Sequence, residues 1–254
     1  MKVEIWSDLL CPFCYIGKRK FERALERFAH REEVEVVWRS FELMPDAPRE
    51  SGRDMHDLLA AKLGGDRARA RAMNRYVTGE AATVGLRYDL DRAHPTNSFD
   101  AHRLIHLAAA HGLQDAAEER LFVAHFTEAR HIGRHDTLKE LAAEIGLDER
   151  EVADVLAGDG YAAEVRAEEA EGRALGLTGV PFFVIDRTYA ISGAQPSDLF
   201  LEALQRAWAE AHPLTALHGQ PQGEAGDAAC ADGTCAVPAR QQHPERREGS
   251  ALQS

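Results

Sequence analysis

The chain has 254 residues, is 44% hydrophobic and carries a formal net charge of −12. That length supports one large domain, or a small domain carrying a large insertion. The acidic balance argues against a nucleic-acid or anionic-membrane surface, and no window approaches the roughly 18 apolar residues of a membrane span.

Met1-Lys2 runs straight into a strand pattern, with no basic stretch followed by an apolar run. That pattern leads us to expect a cytoplasmic protein. In a reducing compartment, cysteines in two close pairs point to redox or metal chemistry rather than to structural staples.

In chain order, Val3, Ile5 and Trp6 form a short apolar run of strand formers. Ser7-Asp8 and then Cys11-Pro12-Phe13-Cys14 follow it. A helical pattern over 12–29 comes next, with Phe21, Leu25 and Phe28 on one face. The dithiol therefore sits where a strand hands over to a helix. Cys11 is expected at the N-cap and Pro12 at the first helical position, where a missing N–H costs nothing. A sulfur there would face unpaired N–H groups and the positive end of the helix dipole, which favour thiolate. Cys14, one turn further in, would be more covered. One exposed nucleophile and one resolving thiol suit disulfide exchange. Read alone, C-x-x-C fits zinc as well as redox; the strand-to-helix context, with proline between the sulfurs, favours redox.

Glu33 to Phe41 alternates as a second strand. Met44-Pro45-Asp46-Ala47-Pro48 then breaks regular structure. From about 54 to 176 there is no convincing strand. Glycine breaks divide this Ala-, Arg- and Glu-rich stretch into helices near 55–63, 66–84, 97–111, 115–129, 136–145, 149–156 and 161–175. Asn97 or Ser98, Asp136 and Asp148 are expected N-caps. After Gly179-Val180-Pro181, Phe182 to Ile185 and Tyr189 to Ile191 read as a hairpin around Asp186-Arg187. Pro196 to Ala211 reads as a last helix with Leu199, Leu204 and Trp208 inward. Trp6, Phe21, Phe28, Trp38, Phe182 and Phe183 are expected in the core. Beyond Pro213 the composition shifts to that of a flexible tail, which contains Cys230-Ala-Asp-Gly-Thr-Cys235.

This order resembles the DsbA family, a thioredoxin fold split by a helical domain. The residues that carry the resemblance are Cys11-Pro12-Phe13-Cys14-Tyr15-Ile16-Gly17-Lys18, Gly179-Val180-Pro181-Phe182-Phe183 and Ile191-Ser192-Gly193-Ala194-Gln195. It covers about residues 1–211. Within the family the chain looks most like FrnE-type cytosolic thiol-disulfide oxidoreductases, whose relatives include 2-hydroxychromene-2-carboxylate isomerases and kappa-class glutathione transferases. The implied layout is a first thioredoxin half at 1–50, a helical insertion at 51–176, a second half at 177–211 and a tail at 212–254.

The resemblance implies that Cys11 is the nucleophile, Cys14 the resolving thiol and Pro181 a cis-proline beside them. Pro12, Phe13 and Val180 would then meet substrate, with the Val180 backbone pairing an extended chain. Without the family context, Pro181 reads as the start of an edge strand.

The sequence departs from the family pattern at three points. Phe13 stands where the DsbA branch often carries His, which predicts a less oxidising couple suited to a reductase or isomerase. Ile5 stands where many thioredoxin-fold enzymes bury an acid, leaving proton handling to Asp8, Lys18 or solvent. The isomerase and transferase relatives use Ser where Cys11 stands, which speaks against glutathione conjugation or chromene chemistry.

Cys230 and Cys235 read as an auxiliary redox pair. Cys230 lies about 17 residues beyond Pro213, an r.m.s. span of ~23 Å as a flexible coil. That gives an effective concentration of order mM at the first dithiol. An incidental tail, or a zinc or redox sensor using all four cysteines, remains open. His102 and His106 share a helix face, more often a polar surface than a metal site. Phe13, Tyr15 and Met44 are candidates for an apolar rim beside Cys11.

The expected protein is a cytoplasmic thiol-disulfide oxidoreductase with isomerase activity. It needs no cofactor and no metal, and its partners are protein substrates and a cellular thiol reductant or oxidant. A kappa-type glutathione enzyme is the enzymatic alternative.

Overall fold

The computed structural model describes residues 1–213, of which Met1–His212 form one compact unit. The first strand, β1 (Lys2–Ser7), lies at the centre. Val3 and Ile5 point into one apolar cluster, and Trp6 points to the other face. Such alternation is the period of a strand with both faces covered. The helix α1 (Pro12–Arg27) follows, and β2 (Glu35–Ser40) returns parallel to β1, with Ile5 opposite Trp38.

The chain then leaves the sheet for seven helices: α2 (Met55–Lys62), α3 (Arg67–Thr83), α4 (Phe99–Ala110), α5 (Gln114–Phe122), α6 (His135–Glu144), α7 (Glu149–Ala157) and α8 (Ala162–Ala174). It re-enters as the hairpin β3 (Phe182–Ile185) and β4 (Tyr189–Ser192), with β3 antiparallel to β1. The helix α9 (Ser197–Ala211) packs on α1. The sheet order is β2-β1-β3-β4. This is the expected α/β thioredoxin-like architecture interrupted by a helical insertion. The expected core aromatics Trp6, Phe21, Phe28, Trp38, Phe182 and Phe183 are all buried.

Side chains, rather than a further strand, close the β2 edge. The Gln114 side chain accepts from Trp38 N–H at 3.1 Å and donates to Trp38 C=O at 2.9 Å, and Trp38 Nε1–H donates to Asp115 at 3.0 Å. These bonds satisfy an otherwise open strand edge and fix the start of α5 beside the sheet. On the opposite face α8 approaches closely. A Cβ on Gly172 would lie 2.8 Å from the Trp6 ring, so only glycine fits there.

Several sequence expectations need correction. The helix expected over 115–129 ends at Phe122 and passes into a wider π turn at Val123–Thr127. Asp136 is not an N-cap: α6 starts at His135, with Arg134 at that position. Ser98 holds the N-cap position of α4 without a capping bond, because its hydroxyl is used elsewhere. Asp148 does cap α7, accepting from the N–H groups of Arg150 and Glu151. The second strand starts at Glu35 because Arg31–Glu33 form a short 3-10 turn. Leu199 points outward, 42% exposed, whereas Leu204 is fully buried. Residues 214–254, including Cys230 and Cys235, lie outside the described residues.

Candidate active site

Cys11 occupies the N-cap of α1 in extended conformation, and Pro12 is the first helical residue. Cys11 N–H donates to Asp8 C=O at 2.9 Å and Cys14 N–H to Cys11 C=O at 3.0 Å. The handover from strand to helix therefore holds both cysteines close to the end of β1. Both are free thiols.

The local geometry differs from the expectation in two respects. The Cys11 sulfur makes no capping bond to the helix N-terminus; its thiol donates to Val180 C=O at 3.5 Å. Nor is Cys11 openly exposed: it is 5% accessible against 1% for Cys14. Burial, reinforced by the neighbouring Cys11, pushes the Cys14 thiol well above its ordinary range. The Val180–Pro181 bond is cis. Opposite Pro181 lies Gly17, where a Cβ would sit 3.0 Å from Pro181 Cγ. The glycine thus lets α1 approach the Val180–Pro181 segment.

In front of Cys11 a cavity of about 310 Å³ opens, lined by Cys11, Pro12 and Phe13 from the dithiol turn. Leu43 and Met44 come from the loop after β2, Met55 and Leu59 from α2, and Met73 and Val77 from α3. Phe13 and Met44 thus take the rim positions expected of them. Tyr15 does not: it is buried in a stack with Tyr88, Phe122 and Phe126. The insertion also reaches the dithiol turn directly, where Tyr88 O–H donates to Pro12 C=O at 2.8 Å.

Behind Cys14 the surroundings are polar. Asp8 is fully buried, and its N–H donates to Cys14 Sγ at 3.5 Å. Its carboxylate accepts from Ser98 Oγ at 2.8 Å, Leu43 N–H at 2.7 Å and Leu10 N–H at 3.1 Å. His102 Nε2 stands 3.6 Å from the same carboxylate, a charge contact rather than a formed hydrogen bond. Burial alone would raise the Asp8 carboxyl; His102 and the two N–H donors outweigh it, and the net direction is down. Burial would likewise lower His102, but Asp8, Glu118 and Glu42 raise it. The two therefore form a buried ion pair.

Of the two side chains read as candidates for proton handling, Asp8 stands beside the dithiol, its backbone N–H on Cys14 Sγ. Lys18 does not: its ammonium is held by Glu22, Asp115 and Glu119. His102 and His106 do not converge, because His106 faces Ser40 and Glu168. Among the described residues no group of three or more His, Cys, Asp or Glu side chains is arranged around a metal position. No helix there is long and apolar enough to cross a membrane. Tyr88, Glu118 and the ion-pair role of His102 were not read from the sequence.

The DSBA-like thioredoxin domain family matches residues 2–205. An uncharacterised protein of Bacillus subtilis, YwbO, is 30% identical over 209 residues, covering 80% of this chain and 94% of that one. Among solved structures, a probable DsbA oxidoreductase from Streptomyces coelicolor is 43% identical with a TM-score of 0.80, covering 94% of this chain and all of that one. The cytosolic disulfide reductase DsbM of Pseudomonas aeruginosa, solved with GSH, is 25% identical with a TM-score of 0.53, covering 81% and 100%. A 2-hydroxychromene-2-carboxylate isomerase shares the fold at 12% identity and a TM-score of 0.61, covering 85% and 100%.

Proposed function

Because the chain belongs to the DSBA-like thioredoxin domain family, we propose that it exchanges disulfides of protein substrates through Cys11 and Cys14, acting as a reductase or isomerase. The observation that carries this reading is the placement of Cys11. It lines an apolar cavity on one side and touches the Val180 carbonyl on the other.

Cys11 thiolate attacks a substrate disulfide, forming a mixed disulfide and releasing one substrate thiolate. Cys14 then attacks Cys11 Sγ, releasing the second thiolate and closing the Cys11–Cys14 disulfide. A cellular thiol system restores the dithiol, so no cofactor takes part. In isomerisation the released thiolate attacks elsewhere in the substrate before Cys14 does, and no net electrons move. Pro12, Phe13 and the Val180–Pro181 segment hold the substrate chain, with Val180 offering its backbone as a pairing edge.

The cavity offers Lys62 and Asn74 as its polar side chains and otherwise carbon and sulfur. That lining favours a bulky apolar side chain beside the substrate cysteine over a tripeptide carrying several charges. It supports protein substrates over a kappa-type glutathione enzyme. The likeness to a cytosolic disulfide reductase supports action in the cytoplasm. The tail pair Cys230–Cys235 is proposed to exchange with the first dithiol.

Insulin-disulfide reduction with dithiothreitol tests the reading. Turnover is expected in the wild type and is lost in Cys11→Ser. Full turnover in Cys11→Ser would overturn it. A changed rate in the Cys230→Ser, Cys235→Ser double variant assigns the tail pair its role; unchanged reduction and oxidative-refolding rates remove it.

A further inference from the structure

Resting on the oxidoreductase reading, one step remains without a partner in the mechanism. Cys14 must lose a proton before it can attack, yet it is 1% exposed and burial favours its thiol form. The position where thioredoxin folds often bury an acid is Ile5, which cannot accept a proton.

The space behind Cys14 contains buried polar atoms with no formed bond. Ser7 Oγ is one; its hydroxyl acts on both the Cys14 thiol and the Glu118 carboxyl, favouring the charged form of each, while forming a hydrogen bond with neither. Glu118 Oε1 is another, on a side chain 1% exposed. Unpartnered buried polar atoms are costly, and their retention calls for an explanation. Glu118 comes from α5, the helix fixed to the β2 edge through Gln114 and Asp115. The groups whose charge or dipole acts on it are His102 from α4, Ser7 from β1, Lys18 from α1 and Asp115 from α5 itself. Asp8 and Glu42 join through His102.

We propose that Glu118, supplied by the helical insertion, is the proton acceptor for Cys14, reached through the Ser7 hydroxyl. In the resolving step the Cys14 S–H gives its proton to Ser7, and Ser7 gives its own to the Glu118 carboxylate. The Cys14 thiolate forms the bond to Cys11 Sγ as the bond from Cys11 to the substrate sulfur breaks. The substrate leaves as thiolate. When the Cys11–Cys14 disulfide is next reduced, Glu118 returns its proton to Cys14 by the same route. The Asp8 carboxylate already accepts from Ser98, Leu43 N–H and Leu10 N–H, and it holds the position of the end of β1 without moving a proton.

This assignment matches the chemistry required of the acceptor. Burial raises the Glu118 carboxyl to about 7, partly offset by His102, Ser7 and Lys18. A carboxyl with that affinity both takes and returns a proton near neutral pH.

Stopped-flow reaction with Ellman's reagent tests the inference on the full chain, with Cys230 and Cys235 replaced by Ser so that only the dithiol reports. The first thiolate released measures attack by Cys11, and the second measures resolution by Cys14. In the parent the second phase should rise with pH through a midpoint near 7. In Glu118→Gln it should slow about a hundredfold, and its midpoint should move to higher pH. Glu118→Asp, which restores a carboxyl, should recover most of the rate. If Glu118→Gln does not fold, Ser7→Ala, which removes an unbonded hydroxyl, is read in the same way. A second phase with unchanged rate and midpoint in both variants overturns the inference. Absence of the first phase in the parent would instead overturn the oxidoreductase reading.

Discussion

In front of Cys11 the protein presents methionine, leucine and phenylalanine side chains around a cavity. Behind Cys14 it presents Ser7, Asp8, His102 and Glu118, all buried. The two sulfurs lie three residues apart on one helix turn, yet they meet opposite solvents. The front can accept substrates that differ in detail, because apolar contact is non-directional. The back cannot vary in that way, because each buried polar group there depends on its neighbours. The helical insertion builds both sides: α2 and α3 line the front, while α4 and α5 supply the back. It therefore builds the surroundings of both sulfurs rather than standing apart as an appended domain.

Four substitutions sharpen this contrast. The largest loss is expected at the back. Asp8→Asn leaves His102 without its counter-ion and should cost about 3–5 kcal/mol in denaturant unfolding. The sign depends on pH at both ends. The Asp8 carboxyl is lowered in the folded state, so its contribution is present above its ordinary 3.8 and is lost as pH falls through its folded value. His102 is raised, so its contribution is present below 6.5 and is lost as pH rises through its folded value. The gap between wild type and variant should therefore be widest between these limits. A pH-independent gap would deny the ion pair.

Glu118→Gln should act in the other direction. A carboxyl raised from 4.5 to about 7 makes its stabilising contribution at acid pH and loses it as pH rises through about 7. At pH ~8 the variant should be more stable than wild type by on the order of 3 kcal/mol, and at pH ~4 nearly equal. Thermal melts at the two pH values check this; equal melting temperatures at pH ~8 would remove the buried charge from the account.

Gly17→Ala tests the join between the two sides. Overpacking against Pro181 costs about 1–3 kcal/mol, offset by about 1 kcal/mol from replacing a helical glycine. A net loss near 1 kcal/mol is expected in chemical denaturation; a gain would mean that Pro181 yields easily. At the front the expected effect falls on substrate binding rather than on folding. Leu59→Asp places a charge in the cavity wall and should raise KM for insulin about tenfold, roughly 1.4 kcal/mol, with kcat little changed. An unchanged KM would show that substrate does not use the cavity.

Much of the front could be read in the sequence. Whereas the cis Val180–Pro181 bond was legible only through the family resemblance, the dithiol turn, the hairpin and the last helix rest on local patterns of strand, proline, helix periodicity and turn residues. Phe13 and Met44 were legible for the same reason. The back could not be read in this way. Glu118 stands in Asp-Ala-Ala-Glu-Glu-Arg, which looks like any solvated helix face, and only tertiary packing turns one of its two glutamates inward. His102 was read with His106 as a polar helix face, but it is buried against Asp8 while His106 meets Glu168. Tyr88 sits in a loop without periodicity, 76 residues from the Pro12 carbonyl it binds. Leu199 was assigned inward by spacing alone, yet its neighbour Phe200 is the residue of that turn packed against Phe21 and Phe183. The π turn at Val123–Thr127 carries no glycine or proline, so nothing in the sequence marked the end of α5.

The division of labour between the sulfurs is tested most directly by trapping. Cys14→Ser is mixed with reduced and oxidised protein substrates, and adducts are mapped by mass spectrometry. Stable mixed disulfides at Cys11, absent from Cys11→Ser, are the predicted result. Adducts on the remaining Cys14 of Cys11→Ser, with none at Cys11 in Cys14→Ser, would contradict the assignment of nucleophile and resolving thiol.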